Sequence, residues 1–528
     1  MRLAPCLGVA TVVAGLTLAL SCGESNPGID PPPDQLVFPS GVLLDPRVPV
    51  GQSARWLFVT NANSDRRYNA GSVLAIDLDG YWEAAFSDPT AVGSASARLN
   101  TVEECESQGR CQFCRRAANL PQVVECSAQP FIAADVTIHV GNFPGPASAW
   151  VKPAPNDDEA LLLVPVRGDP SITYVELSGG LNGADDLRLE CGQASDDDGG
   201  RRCDDHYRLR FLRNDPDARR LAREPFRVLV SPQADLPLAY VSHQGDSNLT
   251  LIALEGLDVG GDGRPAIVHQ PNILLFTPNP TALTVQGGFG LAQRPCDLES
   301  GNVPSSTLGC TRPFVYSAIR WQLELQTFTA VRHLPLLDTG QTCVGPDEIG
   351  TIGGIICEPQ AEPLRRFEIG GLSTTGIQLN SARPLLGDIG FSRTGNQLYV
   401  VQSNPGGLVR IDTSLGISGD PLNVTTGLVE TCSQPTTMAI YDDGDSEYAI
   451  VTCYRGGEVF IVDLAALTVV GLSRAGIGPD AVAVDVVREV IYVANSLDAT
   501  VSVIDMSTTR PSRFTEIGRI GIQEPYTQ

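Results

Sequence analysis

Cysteine offers this chain most of its candidate chemistry, and its fourteen cysteines sort by spacing. Cys105, Cys111, Cys114 and Cys126 crowd one stretch, with a C-x-x-C at Cys111-Gln-Phe-Cys114. Four thiolates this close could hold zinc. They could instead close two disulfides, which an exported chain favours. A redox role would need a helix start and a lowered thiol pKa, and the sequence gives no sign of either. Arg115 follows the pair where a c-type haem requires histidine. Eight more cysteines pair by proximity: Cys191 with Cys203, Cys296 with Cys310, Cys343 with Cys357, and Cys432 with Cys453. Closing loops of this kind contributes roughly 3 kcal/mol each through chain entropy.

Other chemistries find less support. The five histidines (His139, His206, His243, His269, His333) show no H-x-H or H-x-x-x-H spacing. Asp196-Asp-Asp-Gly-Gly200 and Asp442-Asp-Gly-Asp445 offer oxygen ligands, but neither has the twelve-residue calcium loop with its closing Glu, so both read as solvated turns. There is no G-x-S-x-G, P-loop or dinucleotide fingerprint. No metal or cofactor is therefore expected, with a divalent ion reserved for an enzyme alternative. A net charge of -24 would repel phosphate backbones, which argues against nucleic acid as a partner. It also argues against electrostatic docking on anionic lipid.

The elements that would position these residues recur along the chain. Near the C-terminus, Pro479-Asp-Ala-Val-Ala-Val-Asp485, Val490-Ile-Tyr-Val-Ala-Asn495 and Thr500-Val-Ser-Val-Ile-Asp505 read as three strands of a meander. Tyr492 lies 13 residues before Asp505, and the same interval joins Tyr399 to Asp412, Ile450 to Asp463, Leu163 to Glu176 and Tyr240 to Ala253. Phe58 to Asp77 is the same unit with a longer turn, and a proline precedes each unit. A weaker unit runs from Pro280 through Ala282–Val285, Phe314 and Trp321–Leu325. Repeats of several short strands mean blades stacked into a ring. The fold expected is all-β, a single β-propeller of seven blades, mostly of four antiparallel strands. Long disulfide-bearing loop insertions decorate it at about 81–130, 178–222, 256–278 and 331–382. The two ends of the chain are expected to meet and close the ring.

These segments resemble the YVTN-repeat β-propeller family. Tyr492-Val-Ala-Asn495 and Phe58-Val-Thr-Asn61 match its motif, each followed by a Val-x-x-Ile-Asp run, Val501–Asp505 and Val73–Asp77. The resemblance covers about residues 37–528 and is closest in the last blade. In the repeat frame Cys432 and Cys453 fall on one face, where Asn61, His243, Gln402 and Asn495 also occupy equivalent positions. Polar groups converging on a channel would suit a ligand-binding face. The alternative is that they satisfy turn backbone groups.

The N-terminus suggests a compartment. Arg2 precedes an apolar stretch, Leu7–Leu20, too short to span a bilayer and suited to a signal peptide over 1–21. Leu18-Ala-Leu-Ser-Cys22 resembles a bacterial lipobox, which implies a diacylglycerol on Cys22. Gly23, rather than Asp, favours the outer membrane, with the protein periplasmic or surface-facing. Residues 22–36, with Pro31, Pro32 and Pro33, read as a stiff tether. The expected function is a lipid-anchored, non-catalytic scaffold binding an envelope protein or polysaccharide. The alternative is a propeller enzyme of lactonase or quinoprotein-dehydrogenase-subunit type acting on a small molecule.

Overall fold

The structure is a computed structural model that describes residues 28–86, 113–181, 183, 186–192, 201–212, 215–231, 237–246, 248–254, 264–270, 288–295, 314–319, 324–333, 358–368, 385–417 and 420–522. The signal segment, Cys22, Cys105, Cys111, Cys296, Cys310, Cys343, Cys357 and Asp196–Gly200 lie outside them.

Alternating apolar residues and short turns fold each repeat into an antiparallel meander. In the last blade the strands are Pro479–Asp485, Val490–Asn495, Thr500–Asp505 and Glu516–Ile520. The innermost alternates between buried and half-buried residues: Ala481 and Ala483 sit in the core shared with blade one, and Val482 and Val484 pack against blade six. Every residue of the next two is buried, because neighbouring blades cover both faces. The described strands form seven sheets in chain order, four of them four-stranded. The protein is an all-β propeller.

Two expected insertions turn out to contain outer strands. Ala266–His269 completes blade three and Glu358–Glu368 completes blade four. The latter carries Pro359 and Pro363, and prolines belong at sheet edges. In blade four the innermost strand is Gly288–Gln293, whereas the expected Ala282–Val285 lies outside the described residues. The stretch 178–222 splits: Arg188–Glu190 and Arg208–Leu209 pair with blade two, while Phe211–Leu212 joins blade three.

Blades one and seven each draw their four meander strands from one end of the chain. Their shared core joins Leu57, Val59 and Leu74 to Tyr492, Val501 and Ile517. Blade one's insertion supplies the clasp. Its helix, Leu78–Ala85, is capped by Asp77 and buries Tyr81 and Trp82 against blade seven. Trp82 Nε1 donates to the Tyr492 hydroxyl at 2.9 Å. Gly518 is required here, since a Cβ would lie 2.3 Å from the Tyr81 hydroxyl. Beyond the helix, a hairpin of Cys114–Ala117 and Leu120–Cys126 extends blade seven, with Leu120–Cys126 parallel to Glu516–Ile520. Cys114 is bonded to Cys126, so these two thiols are not available for a four-cysteine zinc site, nor is Cys114 for a C-x-x-C couple with Cys111. Cys191–Cys203 and Cys432–Cys453 are bonded as spacing and the repeat frame suggested.

Part of the stretch expected to be a tether is docked instead. Asn61 Nδ2 donates to Gln35 O, Thr137 Oγ1 to Pro33 O, and Arg202 pairs with Asp30 at 2.9 Å. Residues 28–36 therefore run docked along blade one.

Candidate functional site at the channel mouth

In this meander the start of an innermost strand pairs with the end of the second, so both emerge on one face. Pro39 opposes Asn61, Pro225 opposes His243, Leu386 opposes Gln402 and Pro479 opposes Asn495. The equivalence read from the sequence therefore holds in space. The four polar side chains nevertheless point inward, with 0–1% exposure. Asn61 Oδ1 accepts from Val37 N and its Nδ2 donates to Ser72 Oγ. Asn495 donates to Thr500 and Ser502, Gln402 donates to Pro405 O, and His243 Nε2 pairs with Thr250 Oγ1 at 2.9 Å. Burial pushes the His243 ring down to about 4, so it is neutral at ordinary pH. All four side chains bond chiefly within the turns and hairpins around them.

The groups that do reach the channel mouth lie one or two residues further into the innermost strands. Several of these strands shift register after their first residue, as a β-bulge does, and the extra residue re-aims its neighbours. In blade three the re-aimed residues are Phe226 and Arg227, in blade four Phe289 and Gly290, and in blade five Gly387 and Asp388. Arg227 reaches past blade four to Asp388, Nη2 to Oδ2 at 2.8 Å. Gly290 of blade four packs against the backbone of blade five, where a Cβ would stand 2.9 Å from Gly387 O. Burial lifts the Asp388 carboxyl above its ordinary range, and Arg227 draws it back.

Beside this pair, the Phe226 and Phe289 rings stack with centroids 4.3 Å apart. Arg167, just past the second strand of blade two, lays its guanidinium over Phe226 at 5.5 Å. Its buried Nε has no hydrogen-bond partner among the described residues. Burial pushes the guanidinium below its ordinary pKa, opposed by the charges of Asp480 and Glu224. An arginine stacked on an aromatic ring with donors to spare is suited to holding a carboxylate or other planar anion.

Sequence reasoning missed Arg167, Phe226, Arg227 and Asp388. The available signal was their position: Phe226 and Arg227 directly follow the blade-opening Pro225, and Arg167 follows the second-strand frame by one residue. Of the acidic turns, Asp442 Oδ1 accepts from Gly444 N and Asp443 Oδ1 from Asp445 N and Ser446 N, which is turn chemistry. Among the described residues, no three His, Cys, Asp or Glu side chains group as metal ligands.

No family model and no curated protein matches the chain. Solved structures do resemble it. The Pseudomonas aeruginosa periplasmic gluconolactonase PpgL is similar at 14% identity over 82% of this chain and 84% of that one, with a TM-score of 0.40. Hydrazine synthase of Kuenenia stuttgartiensis is similar at 12% identity over 89% and 96%, TM-score 0.42. Sqt1 of Saccharomyces cerevisiae is similar at 8% identity over 95% and 89%, TM-score 0.45. These values are too low to carry an activity across.

Proposed function

We propose that the protein is a lipid-anchored propeller of the bacterial outer membrane, acting as a binding scaffold for a carboxylate-bearing protein or polysaccharide of the envelope. Cys22 carries the lipid, and the channel mouth of blades two to five carries the ligand. The observation that supports this is Arg167, stacked on Phe226 with its Nε unpartnered and with Arg227 adjacent. A ligand carboxylate replaces the hydration lost by that guanidinium and gains charge-assisted hydrogen bonds.

Affinity capture from envelope extract, using the soluble domain from Ser25 onward, tests the proposal against an Arg167→Ala control. A partner held by the parent and lost by the variant supports it. A partner kept by both overturns the placement of the site, and capture of nothing overturns the scaffold role.

A further inference from the structure

The opposite face of the ring holds a second site, independent of the scaffold role. Between blades five and six, where first strands turn into second strands, lies a pocket of about 350 Å³. That volume suits a small polar molecule. Six of its lining residues carry the argument: Arg393, Gln397, Tyr399, Arg410, Glu447 and Asp463.

Their internal bonds leave groups of both signs uncommitted. Arg393 is already engaged with Asp442 and Gly444 O. Arg410 donates only Nε, to Thr426 Oγ1 at 3.2 Å, which leaves its terminal nitrogens without a partner among the described residues. Glu447 Oε1 accepts from Arg393 N, and Asp463 Oδ1 accepts from Ala466 N, so each carboxylate keeps its second oxygen. Gln397 Oε1 is buried with no hydrogen-bond partner among the described residues, a costly condition that a ligand N–H would relieve. All of these residues line the same pocket. Burial lifts the Tyr399 hydroxyl to about 12, and the charges of Arg410, Glu447 and Asp463 all act on it.

An anion alone would meet two carboxylates, and a cation alone would meet Arg410. A molecule carrying both charges a few bonds apart satisfies both sets. We propose that this pocket binds a free α-amino acid, its carboxylate on the Arg410 guanidinium and its ammonium among Gln397 Oε1, Glu447 and Asp463.

The test is calorimetric titration of the soluble domain with L-alanine, N-acetyl-L-alanine and L-alanine methyl ester, with thermal shift against the other common amino acids at about 10 mM, enough to reveal millimolar binding. Binding of a free amino acid, weakened at least ~10-fold by blocking either end or by Arg410→Gln, supports the proposal. Equal affinity for the blocked forms overturns it, as does no response to any amino acid. Comparing ligands on the unaltered protein keeps the test decisive if Arg410→Gln fails to fold. Capture through Arg167 on the other face is a separate readout, so one proposal can fail while the other stands.

Discussion

The seam between blades seven and one and the arc from blade three to blade five hold the same ring by different means. At the seam, apolar bulk does most of the work: Tyr81, Trp82 and Phe86 fill one core shared by both blades, a disulfide-bonded hairpin covers the outer edge, and Arg488 of blade seven pairs with Asp79 of the helix at 2.6 Å. In the arc, an ion pair joins blade three to blade five, and a neutral histidine sits wholly buried nearby. The apolar part of the seam carries no group that titrates near neutral pH. A buried ion pair is costly to break but adds little over a well-packed apolar replacement. The seam is therefore held chiefly by packing, with an ion pair at its rim, whereas the arc depends on a pair that joins blades three and five.

The sharpest way to break this contrast is Trp82→Ala. It removes a large buried side chain and its bond to Tyr492, and should cost about 4 kcal/mol in a urea titration. A loss under about 1 kcal/mol would mean that the clasp is ornamental. Arg227→Ala should cost about 3 kcal/mol, because Asp388 stays buried without its partner. Joining Arg227→Met to Asp388→Leu should recover most of that loss. If the double variant is as unstable as the single one, the pair is structural in the same sense as the seam.

A third effect depends on pH. The His243 pKa lies near 4 in the folded protein, below the ordinary 6.5 of the unfolded chain. Between those values the unfolded state binds more protons, so stability is full above about pH 6.5 and falls as pH drops toward 4. The loss should approach ~3 kcal/mol at the acid end. Burial shifts His139, beneath the docked leader, in the same direction, so His243→Gln should flatten part of the profile and leave the rest. An unchanged profile would remove His243 as the acid-sensitive element of the arc.

Much of the fold was legible because the second and third strands are buried on both faces. Runs such as Val490–Asn495 and Thr500–Asp505 must be β-branched and apolar, and they repeat at fixed intervals. Outer strands escape this constraint. Glu358–Glu368, with its charges and two prolines, is paired on one side within its sheet and carries little signal. The Cys432–Cys453 bond was legible because the frame placed both residues on one face. The channel mouth was not. A bulge displaces its residues from the alternating pattern, and Arg227 meets Asp388 only once seven separate segments have formed a ring. The conspicuous Asn, Gln and His positions recur for a local reason, since each polar side chain satisfies its own turn or hairpin.

The clasp also sets the order of events during synthesis. Leu120–Cys126 emerges long before its neighbour Glu516–Ile520. Trp82 and Tyr492, 410 residues apart, wait for each other in the same way. Until the final blade arrives, blade one presents an unpaired strand edge and an unburied aromatic cluster, the features that invite association with other chains. Until blade seven is made this joint stays open, so completion of the ring is a long-range step.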